Sequence, residues 1–262
     1  MASPTAKLSH VPVHEWTRVY EPAEDSWLLS DAVCGDVRAW AACAPTLLLE
    51  LGSGSGAVCA SVLLFLQQAQ KAQAQAQALR VAPAVCLACD LSPYACSVTA
   101  ATGAENGVGA RLDVVQCDLL DALRWRLRGA VDLLLFNPPY VPTPSHEVPV
   151  RGAFAAQGGA QGALDTLPAA WAGGERGREV IDRALPLLQE LLRRPAPGGG
   201  DGGGMAYLLL LEDNEPEDIA AVLAAMGLAS TIVARRQAPC ESLLVMRVQW
   251  PPGAQAGEEK TA

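Results

Sequence analysis

Histidine is scarce, with three in 262 residues, so no histidine-rich metal centre and no obvious imidazole base is on offer. Cysteine is present, but eight scattered residues are too few for a disulfide scaffold in a chain this long. The close pair, Cys86 and Cys89, lies in an apolar, strand-like run with no second pair or histidine nearby. Buried free thiols in a reducing compartment are the simpler account, and no metal site is expected. No stretch reaches the ~18 apolar residues of a membrane span, and no charged segment leads an apolar core at the N-terminus. Positive charge is also short: 19 Lys and Arg against 28 Asp and Glu give a net charge of −9. That balance argues against the broad basic surface of non-specific nucleic-acid binding, although a local patch stays open. The expectation is a soluble, intracellular protein, cytoplasmic with the nucleus as a second compartment.

What is plentiful is apolar sequence, at 50% of residues, enough for a sizeable core. Short, dense hydrophobic runs recur, each ending in a polar or glycine-rich break. Thr46-Leu47-Leu48-Leu49-Glu50-Leu51 reads as a buried strand and runs straight into Gly52-Ser53-Gly54-Ser55-Gly56. The apolar residues from Ala57 to Gln70 follow at helical spacing. Strand, glycine turn and helix form the first unit of a nucleotide-binding α/β sheet, with the ligand above the strand's C-terminal end. The turn is ambiguous in isolation, because Gly52, Gly54 and Ala57 also satisfy the dinucleotide fingerprint. Glu50, two residues before the first glycine, is atypical of that fingerprint.

Ala84 to Asp90 reads as a second strand ending in an acid, a place where a carboxylate commonly receives ribose hydroxyls. Ser92-Pro93 then opens a helix, with Ser92 as cap and Pro93 at its first position. Arg111 to Cys117 is a third strand closed by Asp118-Leu119, where the acid either meets an adenine amino group or caps the next turn. Val131 to Phe136 is a fourth, stopping at Asn137-Pro138-Pro139-Tyr140. The two prolines fix φ and offer no N–H, leaving the Asn137 side-chain oxygen and the Pro138 carbonyl as rigid acceptors beside a flat aromatic ring. The tetrapeptide reads either as a clamp for a planar –NH2 group or as an ordinary strand exit.

Further on, Arg178 to Leu192 is an amphipathic helix, Met205 to Leu211 a fifth strand, and Ile219 to Met226 a helix stopped by Gly227. Ala229 to Ala234 and Ser242 to Trp250 pair most simply as an antiparallel hairpin at the sheet edge. The acids and Ser26 in Val19 to Ser26 either start a helix or face a ligand. Flexible tails are expected at 1–18 and 251–262, with one domain over 19–250. Low-complexity inserts interrupt it near 67–79 (helical extension or solvated loop), 144–168 and 195–204.

In this order, the blocks VYEPAEDS (Val19 to Ser26), LELGSGSG (Leu49 to Gly56), CDLSP (Cys89 to Pro93), CDL (Cys117 to Leu119), FNPPYV (Phe136 to Val141), AWAGGERGREVIDRAL (Ala170 to Leu185) and RRQAPCESLLVM (Arg235 to Met246) resemble the class I S-adenosylmethionine-dependent methyltransferases. More closely, the chain is similar to the HemK/PrmC-type release-factor glutamine methyltransferases of the eukaryotic and archaeal branch. The resemblance implies a Rossmann-like, seven-stranded α/β sheet, mostly parallel with one antiparallel edge hairpin strand and helices on both faces. It implies that Glu50, Gly52, Gly54 and Gly56 cradle the methionine part and ribose edge of S-adenosylmethionine. Asp90 would take the ribose, Asp118 and Leu119 the adenine, and Ser26 would close over the donor. Asn137 would border both donor and acceptor. Asn137 and Pro138 would hold the glutamine amide of a Gly-Gly-Gln motif in a class 1 peptide-chain release factor, with Pro139 and Tyr140 completing the acceptor site. Too few residues precede Val19 for the helical substrate-binding domain of the bacterial members, so a small zinc-binding activator subunit is expected as heterodimeric partner. The competing reading is an adenine amino-methyltransferase on DNA or RNA, whose exocyclic amine presents a similar planar group.

Overall fold

The computed structural model describes residues 3–40, 44–76, 84–121, 123–148, 170–196, 203–238 and 241–251. Strands that are apolar at consecutive positions need cover on both faces, which parallel strands between helices provide. β1 (Leu47–Leu51), β2 (Val85–Asp90), β3 (Leu112–Gln116), β4 (Leu133–Phe136) and β5 (Met205–Leu211) pair in parallel. With β6 (Ala229–Gln237) and β7 (Ser242–Gln249) they form one seven-stranded sheet in the order β3-β2-β1-β4-β5-β7-β6. Chain order therefore reverses between β1 and β4, and that switch point opens a crevice above the strand ends. The register levels those ends, since Leu51 stands beside Cys89 on one side and Phe136 on the other.

The expected hairpin is present, with one difference in placement. Its antiparallel strand, β7, lies inside, against β5, and β6 forms the edge. Burial explains the order. Leu243 to Met246 are buried, whereas β6 is half-exposed and carries Arg235 and Arg236, charges that protect an edge from further pairing. A register shift between Ile232 and Ala234 lets β6 run on to Gln237, beyond the expected end at Ala234.

Six helices are found among the described residues: α1 (Glu24–Gly35), the single turn α2 (Val37–Trp40), α3 (Ala57–Ala76), α4 (Pro93–Glu105), α5 (Glu179–Leu191) and α6 (Pro216–Ala225). The start of α4 is as read from sequence, with the Ser92 hydroxyl accepting from the Ala95 N–H. The Gln/Ala insert continues α3 as far as Ala76, as its strong helix formers favour. Residues 77–79, most of 144–168 and 195–204, and the tail beyond 251 lie outside the described residues. None of the described helices is long and apolar enough to cross a membrane.

The N-terminal stretch, expected as a tail over 1–18, instead lies against the domain from residue 3. Ala6 is buried and its N–H donates to Ser61 of α3, while Lys7 pairs with Asn106 after α4. Val11 and Val19 pack with Ala95 and Val98 in a small second cluster. Scattered apolar residues carry no periodicity, so this docking leaves no pattern to read.

At the opposite end of the sheet, buried Asp132 ties β4 to β1. Its carboxylate accepts from the Thr46 N–H and hydroxyl at 2.8 and 2.9 Å, the Leu47 N–H at 3.1 Å and the Arg193 guanidinium at 2.6 Å. Burial opposes its charge, but Arg193 and the Thr46 and Leu47 hydrogen bonds outweigh that and hold its pKa below the usual carboxylate range. A depressed folded-state pKa contributes stability that is present above the unfolded pKa and lost as pH falls through the folded one. Asp132→Asn is therefore expected to cost about 1.5–3 kcal/mol at neutral pH. The difference from wild type should shrink in acid, as urea unfolding at pH 7 and pH 3 would show.

Candidate functional site

A cavity of about 330 Å³ occupies the crevice at the strand ends, within the size range of small-ligand sites. One wall is the glycine turn after β1. Gly52, Gly54 and Gly56 all have positive φ, which only glycine adopts without strain. Gly52 and Gly54 line the cavity, but Gly56 does not. A Cβ on Gly56 would stand 2.9 Å from the Thr99 backbone, so this glycine serves close packing against α4. The turn is also held from α4 by side chains that sequence reasoning passes over. Thr99 donates to the Gly54 carbonyl at 3.0 Å, and Thr102 to that of Ser55 at 2.7 Å.

Three strand-end acids face this wall. Buried Glu50 accepts from the Cys59 N–H in the first turn of α3 at 3.2 Å, and its burial, then the Cys59 thiol and Asp90, push its pKa well up. Asp90 latches the turn to β2, accepting from the Gly54 N–H at 2.9 Å and the Ser92 N–H at 2.8 Å. Its burial raises its pKa, while those backbone donors pull the other way. Each Asp90 oxygen keeps a lone pair for a further donor. Asp118 lines the cavity with Leu119, and its carboxylate pairs with Arg183 of α5 at 2.6 Å. The following turn is closed through the Asp118 carbonyl instead of its side chain. Arg183 was not singled out from sequence, where it reads as one more charge on the polar face of α5.

The far end of the cavity is formed by Asn137, Pro138, Pro139 and Tyr140 together with Ser26. The organising group there is Asp25, the second residue of α1, only 2% exposed. Its Oδ1 accepts from the Ser26 N–H and lies 3.2 Å from the Ser26 hydroxyl. Its Oδ2 accepts from Asn137 Nδ2 at 2.9 Å and from the Tyr140 hydroxyl at 3.2 Å. A carboxylate can only accept, so the Asn137 amide must turn its nitrogen towards Asp25 and its oxygen away. That oxygen, Asn137 Oδ1, is a buried polar atom without a hydrogen-bond partner. Such atoms are rare in native proteins, and one that faces a cavity is a ready acceptor for a water or a ligand. Tyr20 and Glu241 complete the rim. Burial, then Asp25, then Tyr20 keep the Tyr140 hydroxyl protonated; burial and Asp25 do the same for Tyr20.

The tetrapeptide is held from outside itself. Val141 pairs in parallel with Ala172, through Val141 N–H to the Trp171 carbonyl and Gly173 N–H to the Val141 carbonyl. Fully buried Asn214, after β5, donates to the carbonyls of Tyr140 and Arg176 and accepts from the Leu211 N–H. Gly173 and Gly177 let this second segment lie directly on the first. A Cβ on Gly173 would sit 2.7 Å from the Pro139 carbonyl, and one on Gly177 1.9 Å from the Tyr140 carbonyl. The Ala170 to Leu185 block is thus the cradle of the tetrapeptide, a role that only contact can reveal.

The cavity has an acidic, hydrogen-bonding half that suits a cation carrying a diol. Its other half shows the unpaired Asn137 oxygen beside a tyrosine, suited to a group that donates a hydrogen bond. No cluster of three or more metal-ligating side chains occurs among the described residues. No protein-family profile matches the chain. It is 38% identical over 245 residues to methyltransferase HEMK2 of Mus musculus, covering 93% of this chain and 95% of that one. It is 31% identical over 252 residues to the eRF1 methyltransferase catalytic subunit mtq2 of Schizosaccharomyces pombe, covering 93% and 94%. Among solved structures it is similar in fold to the E. cuniculi Mtq2–Trm112 complex, responsible for methylation of the eRF1 translation termination factor. That match has a TM-score of 0.53 at 23% identity, and covers 89% of this chain and 99% of that one.

Proposed function

The chain belongs to the HEMK2/Mtq2 branch of the class I methyltransferases, and on that premise we propose that it methylates a glutamine side-chain amide nitrogen in a class 1 peptide-chain release factor. The acceptor would be the glutamine of the Gly-Gly-Gln motif, and a small zinc-binding activator subunit would be the partner. The observation that carries this reading is the unpaired Asn137 Oδ1, fixed by the hydrogen bond from Asn137 Nδ2 to Asp25.

The residues present fit S-adenosylmethionine, which supplies a methyl group on a cationic sulfonium. Glu50 and the Gly52–Gly54 backbone would hold its methionine part, Asp90 the ribose hydroxyls, and Asp118 with Leu119 the adenine. Ser26, beside Asp25 at the start of α1, would close over the donor where it meets the acceptor end. Asn137 Oδ1 and the Pro138 carbonyl accept the two N–H bonds of the substrate amide, and the Tyr140 ring lies beside its plane. A glutamine nitrogen is a weak nucleophile, because its lone pair is delocalised into the carbonyl. Two acceptors on its hydrogens orient the nitrogen and stabilise the positive charge that develops on it. No histidine base is needed, because the proton can leave after transfer.

The test is donor-dependent labelling of a release factor by the chain co-purified with its activator. Label should appear on the wild-type factor and vanish when the Gly-Gly-Gln glutamine is replaced. Label on DNA or RNA with none on the factor would overturn the reading.

Glu50 makes a separate, pH-dependent prediction. In the free protein its pKa is raised by burial, and a bound cation favours the ionised form. Donor binding should therefore release a proton, and affinity should rise with pH up to the free-state pKa. Calorimetry in buffers of different ionisation enthalpy measures both, and Glu50→Gln should abolish the proton release.

A further inference from the structure

We infer that Asp25 is a positioning residue for methyl transfer, acting through Asn137 to present its oxygen to the substrate and to strengthen that oxygen as an acceptor. The inference rests on the acceptor reading given above. Asp25 lies in none of the glycine or strand-end motifs, and 112 residues separate it from Asn137. It sits at the second position of α1, where an acid is explained well enough by the helix dipole. Yet its side chain does not point along the helix to free N–H groups alone. Oδ1 is taken by Ser26, and Oδ2 is placed between Asn137 Nδ2 and the Tyr140 hydroxyl.

Two consequences follow from this placement. The first is orientation. An asparagine amide can turn over with little change of shape, offering either a donor or an acceptor. With a carboxylate behind it, only one of these arrangements keeps Nδ2 hydrogen-bonded, so at Asn137 the cavity presents an acceptor and not a donor. This favours groups carrying two hydrogens on a planar nitrogen and disfavours carbonyl or carboxylate groups in the same place. The second is polarisation. A hydrogen bond from Nδ2 to a charged, buried acceptor draws electron density towards Oδ1, since linked hydrogen bonds in a low-dielectric site reinforce one another. The substrate nitrogen becomes positive as the new N–C bond forms, so the negative charge of Asp25, relayed through Asn137, acts most strongly in the transition state. Tyr140 donates to the same Oδ2, while Tyr20 and Glu241 are the other polar groups that border this part of the cavity. With their hydroxyls protonated, neither tyrosine competes with Asp25 as a negative charge, and burial and Asp25 favour the neutral form of Glu241, the other carboxyl group there.

Asp25→Asn keeps the shape but removes the charge and lets the Asn137 amide turn. In the activator complex it should lower kcat on the release factor about ten- to a hundredfold. Donor affinity by calorimetry should stay within about threefold, the scale of a non-contacting change. Because Asp25 acts through Asn137, adding Asp25→Asn to Asn137→Ala should reduce kcat by less than about threefold more. Unchanged turnover in Asp25→Asn, or a double variant as impaired as the product of the singles, would overturn the inference. A second readout needs no turnover. In 15N spectra of the wild-type complex, one Asn137 side-chain amide proton should be shifted downfield and slow to exchange, and Asp25→Asn should lose both features. If wild type labels no release factor, the substrate reading fails, and this resonance alone decides the fate of Asp25. An ordinary, fast-exchanging Asn137 amide in wild type would overturn its role as the orienting group.

Discussion

Replacing Asn137 with alanine is expected to lower kcat on the release factor about a hundred- to a thousandfold, the range seen when one preorganised hydrogen bond to a developing charge is removed. Asn137 Oδ1 is the acceptor without a partner in the free protein, so on the proposed reading its loss removes an interaction made only with substrate in place. KM for the factor should change little, because most contacts with a protein substrate lie outside the cavity. Folding should suffer modestly, by about 1–2 kcal/mol, since Asp25 loses one donor but keeps Tyr140 and Ser26. Donor affinity, measured by calorimetry, should fall far less than turnover. Asn137→Asp makes the point from the other side. It would place two carboxylates at hydrogen-bond distance, only one of which can ionise readily, so it should be inactive at neutral pH despite its near-identical shape. Near-wild-type turnover in Asn137→Ala would remove the amide clamp from the mechanism.

Gly177→Ala should be the most damaging small substitution outside the cavity. Its φ of +67° disfavours any side chain, at about 1–2 kcal/mol. The new Cβ would also stand 1.9 Å from the Tyr140 carbonyl and 2.6 Å from Asn214 Nδ2, so the tetrapeptide or its cradle must move. Overpacking of this kind adds about 1–3 kcal/mol. Together these come to about 2–5 kcal/mol, so the melting temperature should fall by about 4–20 °C, given ~2–4 °C per kcal/mol at this chain length. Turnover should fall further than donor affinity, because the displaced groups belong to the acceptor end. Gly129→Ala is the control: it has a similar φ of +63° but nothing within 4 Å of the new Cβ. It should show the backbone cost alone and full activity. Equal effects of the two substitutions would refute the packing argument.

The parts of the structure legible in sequence were those set by local chemistry. Dense apolar runs gave the parallel strands, and Ser92-Pro93 marked the start of α4. Polar residues at strand ends fell at the rim of the cavity because a parallel sheet aligns those ends. What stayed hidden depends on contacts between distant segments. Sequence leaves Asp25 between two readings, helix-start acid and ligand-facing group, because an acid at a helix start already has a sufficient local explanation, and its contact with Asn137 is not visible there. Asn214 looked like one more polar residue after a strand, although it binds the Tyr140 backbone. Gly56 was grouped with the ligand-facing glycines, whereas the nearness of Thr99 accounts for it. The hairpin was placed at the edge correctly, but which of its strands lies inside depends on the depth of burial along β7.

The parallel pairing of residues 141–143 with 171–174 also has a meaning for how this chain tolerates change. Those contacts join the segment after the tetrapeptide to the segment at Trp171 with their own backbone hydrogen bonds. The span between them can lengthen at small entropic expense, about 0.6 kcal/mol for each doubling. The register of the two segments is set by their own pairing, so a reporter or affinity tag spliced into the sequence that joins them should leave the cavity intact.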